Sequence, residues 1–254
     1  MTKSCIAVRA FGAGILSITA LLAAPASATK LENTFYAAST TLFFKVSDAA
    51  LRKLLPQGWE PAPVPQMQGG NLTVTFSDIL ASETADGQPG DTARAVWLAA
   101  PVQKVGAGER AGMVLGGLAS NASLIPGPYG NYGLAEAHLD RRRQLEASGA
   151  SINEDWQFAG NDGARVELRL TFTDGAAQHL KPPESRVISA TKPDLRRINK
   201  TEVVAQQMRP DDSDAVKEVA FMASGPLLSS LFDGSQQLIA IISAPWLTTQ
   251  VLVP

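Results

Sequence analysis

Residues 164–174, ARVELRLTFTD, alternate apolar and polar side chains along the whole stretch. Val166, Leu168, Leu170 and Phe172 fall on one face, and Glu167, Arg169 and Thr171 on the other. A strand places successive side chains on opposite faces, so this segment reads as a strand with one face against a core. NLTVTFSDI (71–79) alternates in the same way, while TTLFFKV (40–46) and ARAVWLAAPV (93–102) are more continuously apolar. RAGMVLGGLASN (110–121) is strand-like, and Gly116 and Gly117 within it imply a bulge or a close backbone approach. EVVAQQMRP (202–210) adds another strand, and AVKEVAFMAS (215–224) reads as strand or short helix.

Turn signals separate these runs: ADGQPGD (85–91), GNDG before Val166, and KPPES (181–185). EPAPVPQMQGG (60–70) reads as an extended, proline-rich surface loop. Helical spacing is confined to DAALRKLLP (48–56), which opens on Asp48 as its cap and stops at Pro56, and to a turn at LLSSLF (227–232). Strands do not alternate with long helices, which excludes a parallel α/β fold. The expected architecture is mainly β with minor α (α+β): one antiparallel, barrel-like domain over residues 29–254.

The first 28 residues read differently. Lys3 and Arg9 precede the uncharged run FGAGILSITALLAAPA, which ends at Ala26-Ser27-Ala28. This is the pattern of a secretory signal peptide cleaved after Ala28, and the run is too short for a membrane anchor. The near-terminal LIAIISAPWLTTQVLVP is interrupted by Pro245 and is also too short to span. A periplasmic or secreted location is therefore expected, with no stable membrane insertion after cleavage. Cleavage lowers Lys+Arg from 22 to 20 against 24 Asp+Glu, so the mature charge is −4. That balance, without a basic run, argues against nucleic acid as a partner. The only cysteine, Cys5, departs with the signal. No thiol chemistry or disulfide remains, and with two histidines in the chain no metal or other cofactor is expected.

The phosphate-binding loop, Gly-x-Ser-x-Gly and His-Glu-x-x-His are all absent. The stretch that draws attention is GPYGNYGLAEAHLDRRR (127–143), where glycines and tyrosines lead into Glu136 and His138. On a strand these two side chains share a face. On a helix, Glu136 would lie four residues before Asp140 and His138 four before Arg142, on a solvated face. Both readings stand at this level.

The order of segments resembles the acetoacetate decarboxylase family over residues 35–254. DAALRKLLPQGWEP (48–61) is similar to that family's helix and the Leu-Glu-Pro after it. WLAAPVQKVGAGERAGMVLGGLASNASLIPGPYGNYGLAEA (97–137) is similar to its central strands and glycine-rich approach to a reactive lysine. GARVELRLTFTD resembles the next strand, and residues 225–254 the C-terminal segment. The resemblance implies a cone-shaped β-barrel with a closed apolar pocket, frequent oligomer formation, and decarboxylation of a β-keto acid through a lysine Schiff base. Such a lysine must be neutral to attack, which desolvation and an adjacent cation achieve.

Aligned without a gap, the reactive lysine falls on Glu136 and its cationic neighbour on Ala137. The family's acid falls on Ala95, and its arginine near Ala37. A carboxylate cannot form an imine, and no lysine lies between Lys104 and Lys181. Three readings follow. The barrel is an exported binding or accessory protein for a small organic (keto) acid or related metabolite. Or it is a carbon–carbon lyase of altered mechanism, with Glu136 as general acid or base beside His138. Or a differently placed lysine retains the decarboxylase chemistry. Tyr129, Tyr132, Arg94 and Trp97 are the candidate substrate-binding residues. The competing reading makes the tyrosines loop packing and Trp97 core.

Overall fold

The alternation in the sequence serves both faces of a closed wall. The computed structural model describes residues 29–146 and 149–254, so the signal peptide expected over 1–28 lies outside the described residues. The strands are β1 (Lys30–Lys45), β2 (Trp59–Pro61), β3 (Leu72–Thr84), β4 (Ala93–Lys104), β5 (Arg110–Ala119), β6 (Tyr132–Glu146) and β7 (Gly149–Gly160). They continue with β8 (Arg165–Asp174), β9 (Gln178–Leu180), β10 (Ser185–Ser189), β11 (Arg196–Met208), β12 (Val216–Ser224) and β13 (Gln237–Val253). Among the described residues one α-helix, α1, spans Asp48–Arg52.

The barrel closes in the order β4-β5-β10-β11-β13-β1-β3, with β3 pairing back to β4. Every joint is antiparallel except β10 on β5, which is parallel. A second sheet, β6-β7-β8-β12, is antiparallel throughout. It joins the barrel where β6 pairs in parallel with β5. One edge of β5 is therefore shared. Gly112–Val114 pair with β10, and Gly117–Ala119 pair with β6.

The principal core lies between the barrel wall and this second sheet. Leu42, Val74, Phe76, Val96 and Leu98 point out of the wall and meet Trp156, Phe158, Val166, Leu168 and Leu170. Phe76 is 5.6 Å from Trp156 and 6.2 Å from Phe158, ring centre to ring centre. Phe44, Phe221 and Phe232 form an aromatic trio on the same side, with centroids 4.9 to 5.3 Å apart. The side chains between these on β1, β3 and β4 necessarily face the barrel interior.

Several local expectations are corrected. Ser47, not Asp48, caps α1, its hydroxyl accepting from the Ala50 N–H, and the helix ends at Arg52. Residues 60–70 are only partly a surface loop, with Pro63, Pro65, Gln66 and Gln68 exposed. Ala62 and Met67 are buried, and Met67 meets Phe43 and Ala240. AVKEVAFMAS is a strand. Residues 132–146 are a strand rather than a polar helix, because they pair along β7 from Ala135 to Glu146. β13 runs straight through Pro245. Its register shifts there against both neighbours, as the missing N–H requires. Both readings of Gly116 and Gly117 hold. The β4–β5 register shifts beside Gly116, and a Cβ on Gly117 would lie 2.9 Å from both the Tyr132 ring and the Val96 carbonyl.

Candidate functional site

The barrel holds a partly open cavity of about 580 Å³. Small-molecule sites run from roughly 300 to 1,000 Å³, so this one has the volume for a ligand. Its wall is built from the inward positions of the strands: Phe35 and Phe43 of β1, Thr73 and Ile79 of β3, Trp97 and Ala99 of β4, Val114 of β5 and Val251 of β13. Phe43 also packs with Met67 and Ala240.

The segment 123–129 forms part of the wall beside Tyr132. It is held down by the Tyr132 N–H donating to the Pro126 carbonyl at 2.8 Å, and by the Asn131 amide donating to the Val114 carbonyl at 2.9 Å. Gly127 sits at φ +78°, and a Cβ there would lie 2.7 Å from the Tyr132 ring. The rings of Tyr129 and Tyr132 lie 6.5 Å apart. Burial pushes the Tyr129 hydroxyl up to about 12, opposed by the Asn199 amide and the Arg197 guanidinium. Burial, and then the neighbouring Tyr129, push Tyr132 well above the usual phenol range. Both hydroxyls are therefore neutral hydrogen-bonding groups at ordinary pH.

The polar residues gather around one row. Asn33 of β1 and Asn199 of β11 both pair with Val251 of β13, and all three residues line the cavity. Glu32 lies where the β1–β13 register shifts and takes two hydrogen bonds from Arg197, at 2.5 and 2.9 Å. The Arg197 side chain is 11% exposed and that of Glu32 37%.

Of the residues singled out in the sequence, Trp97, Tyr129 and Tyr132 line the cavity. Glu136, His138 and Arg94 do not. Tyr132 is the first residue of β6 and the last to reach the barrel interior. Beyond Leu134 the strand leaves β5 and pairs with β7. Glu136 and His138 share a face, as expected of a strand, but that face is exposed. Of the two readings left open for Glu136, facing the pocket or facing solvent, the side chain takes the second. Arg94 shares the outward parity of Val96 and Leu98 and pairs with Asp78 at 3.3 Å. Asn33, Asn199, Glu32 and Arg197 were not singled out, since nothing in the linear sequence links them.

No lysine contributes to the cavity wall among the described residues. Lys181 is exposed and pairs with Glu202 at 3.1 Å. Lys192 is exposed and lies against Gly130, outside the cavity. Among the described residues no three His, Cys, Asp or Glu side chains cluster as a metal site, and no helix is long and apolar enough to cross a membrane.

A closed seven-stranded barrel carrying a second sheet on one wall matches solved structures over nearly its whole length. One is an acetoacetate decarboxylase-like enzyme from Sphingomonas wittichii RW1, with 15% identity over 88% of this chain and 91% of that one, at a TM-score of 0.54. The chain has the acetoacetate decarboxylase-like fold. A second match to this fold is the enduracididine biosynthesis enzyme MppR complexed with pyruvate, with 14% identity over 90% of each chain, at a TM-score of 0.54. No family model and no curated protein matches the sequence of this acetoacetate decarboxylase-like barrel.

Proposed function

We propose that this protein is an exported barrel that holds a small organic molecule, an organic acid or a related metabolite, in its apolar cavity, and that it does not decarboxylate through an imine. The observation that carries this reading is a ligand-sized cavity lined by Phe35, Phe43, Trp97 and Val251 but, among the described residues, by no lysine. Schiff-base chemistry needs a neutral amine within bonding reach of the substrate carbonyl. MppR, with the same fold, holds pyruvate, which supports a small keto compound as the first class to test.

Acid–base catalysis by Glu136 is the less supported reading, because this exposed side chain on the second sheet is not part of the cavity wall. Export rests on the sequence pattern of residues 1–28 and is tested by N-terminal sequencing of the mature protein, expected to begin at Thr29. The oligomer that the resemblance implies is tested by light scattering of the mature chain.

The chemical test uses acetoacetate and pyruvate with borohydride, read by intact mass. No adduct is expected, while the same compounds or their relatives raise the melting temperature without turnover. A lysine adduct mapped to Lys192 or any other lysine would overturn the reading.

A further inference from the structure

The wall residues of the cavity are spread far along their strands. Phe35 and Phe43 both belong to β1, and Thr73 and Ser82 both belong to β3. At about 3.3 Å per residue each pair is about 25 to 30 Å apart along its strand, shortened a little by the bulge between β1 and β3. Strands tilt roughly 35–45° in a barrel, which leaves at least roughly 15 Å of height between the two ends of the wall. A sphere of 580 Å³ would be only about 10 Å across. The cavity is therefore a channel along the barrel and not a pocket at one level.

The two ends of the channel differ. Ser82 donates to the Asp91 carbonyl at 2.7 Å, and the Asn121 amide donates to the Thr92 carbonyl at 3.2 Å. These bonds gather Ser82, Asp91 and Ser123 of the wall at one end, where Asp91 and Ser123 are exposed. The other end is Phe43, Val64, Ala99 and Pro101. Thr73 is also there, but its hydroxyl proton is committed to the Ala99 carbonyl at 3.0 Å. Between the ends the wall carries Trp97, Val114 and Val251. Exposed wall residues include a cation, Arg186, and an acid, Asp91, so the wall favours no single charge on a ligand. Length and apolarity are what it selects.

We infer that the channel takes a molecule with an unbranched alkyl chain of roughly ten carbons, its polar head at the Ser82–Asp91 end and its chain running past Trp97 toward Phe43. An extended chain advances about 1.3 Å per carbon, so roughly ten to twelve carbons match the height of the wall. Each methylene buried against an apolar wall strengthens binding about fourfold, a gain that a three- or four-carbon acid forgoes. This inference rests on the binding role proposed above and lengthens the ligand that role would take.

Alkanoates and 1-alkanols of four, six, eight and ten carbons, titrated calorimetrically into the full mature chain, test it. Affinity should rise about threefold or more per methylene up to the ten-carbon member. The series that binds tighter then identifies the head as anionic or neutral. Ala99→Phe narrows the apolar end and should cost the ten-carbon member about tenfold more than the four-carbon one. Should that variant fail to fold, the wild-type series decides alone. Affinity that levels off or falls beyond four carbons in both series would overturn this inference and leave a small-molecule cavity in place, as would a wild-type chain-length slope in Ala99→Phe. Binding of no member would overturn it too, and a melting shift with pyruvate or acetoacetate then shows whether the binding role survives.

Discussion

The indole N–H of Trp156 donates to the carboxylate of Glu154 at 2.9 Å, two residues back on the same strand. The same carboxylate accepts from the Thr40 hydroxyl on the barrel wall at 2.5 Å and from Arg141 on β6 at 2.9 Å. Arg141 also lies over the Trp156 ring, 5.5 Å from its centroid. Glu154 is 4% exposed, so one acid ties the second sheet to the barrel inside the core.

Removal of that acid should be severe. Glu154→Ala leaves Trp156, Thr40 and Arg141 without their acceptor, at a cost of about 3–5 kcal/mol. Thr40→Val removes one donor and should cost about 1 kcal/mol. Denaturant midpoints of the two variants test this ordering, and comparable small losses would contradict it.

Gly127 and Gly163 form a matched pair of positions. Their φ values are +78° and +85°, so alanine at either meets a similar backbone penalty, roughly 1–2 kcal/mol. Only Gly127 is also crowded, by the Tyr132 ring at 2.7 Å and the Leu124 carbonyl at 3.1 Å, whereas a Cβ on Gly163 meets nothing within 4 Å. Gly127→Ala should lose a further ~1–3 kcal/mol and weaken ligand binding. Gly163→Ala should bind as the wild type does, as calorimetry can check.

Stability should fall at high pH through Tyr129. Its hydroxyl rises from 10.0 to about 12 in the folded chain. The unfolded chain therefore loses this proton first, binding fewer protons than the native state, and stability declines as pH rises from about 10 to about 12. The loss is about 2–3 kcal/mol over that interval. Tyr129→Phe should flatten this part of the profile in chemical denaturation, and an ultraviolet tyrosinate titration should show a late-titrating phenol that the variant lacks.

Glu136→Gln and His138→Ala should each move stability by no more than about 0.5 kcal/mol, since both side chains are exposed on β6. Ligand affinity should be unchanged. A tenfold loss of affinity in either variant would place the working site on the second sheet instead of in the barrel.

The strands were legible where burial differs between the two faces. The alternation at 164–174 appears in β8 almost residue for residue. The pattern at 134–146 was ambiguous because the outward face carries Glu136, His138 and Arg142 while the inward face mixes Ala135, Ala137 and Leu139 with the charged Arg141. Pairing along β7 decides the matter, and that is a non-local fact. Pro245 concealed β13 for a related reason, since only the bulge against both neighbours lets the strand continue. At the site, the glycines and tyrosines of 127–133 did mark the cavity. Where β6 turns away from the barrel was invisible in the sequence, and so the pocket-facing and solvent-facing readings of Glu136 both stood. Asn33 and Asn199 meet only because β1 and β11 both pair with β13.

Phe76 and Thr73 belong to one strand but answer to different requirements. The first locks the wall to the second sheet, and the second borders the cavity. Trp97 and Ala99 stand in the same relation to Val96 and Leu98 on the next strand. Substitutions at the inward positions can thus accumulate with little penalty to the architecture, while the outward ones are held by packing. A chain built this way can change the lining of its interior and keep the same vessel.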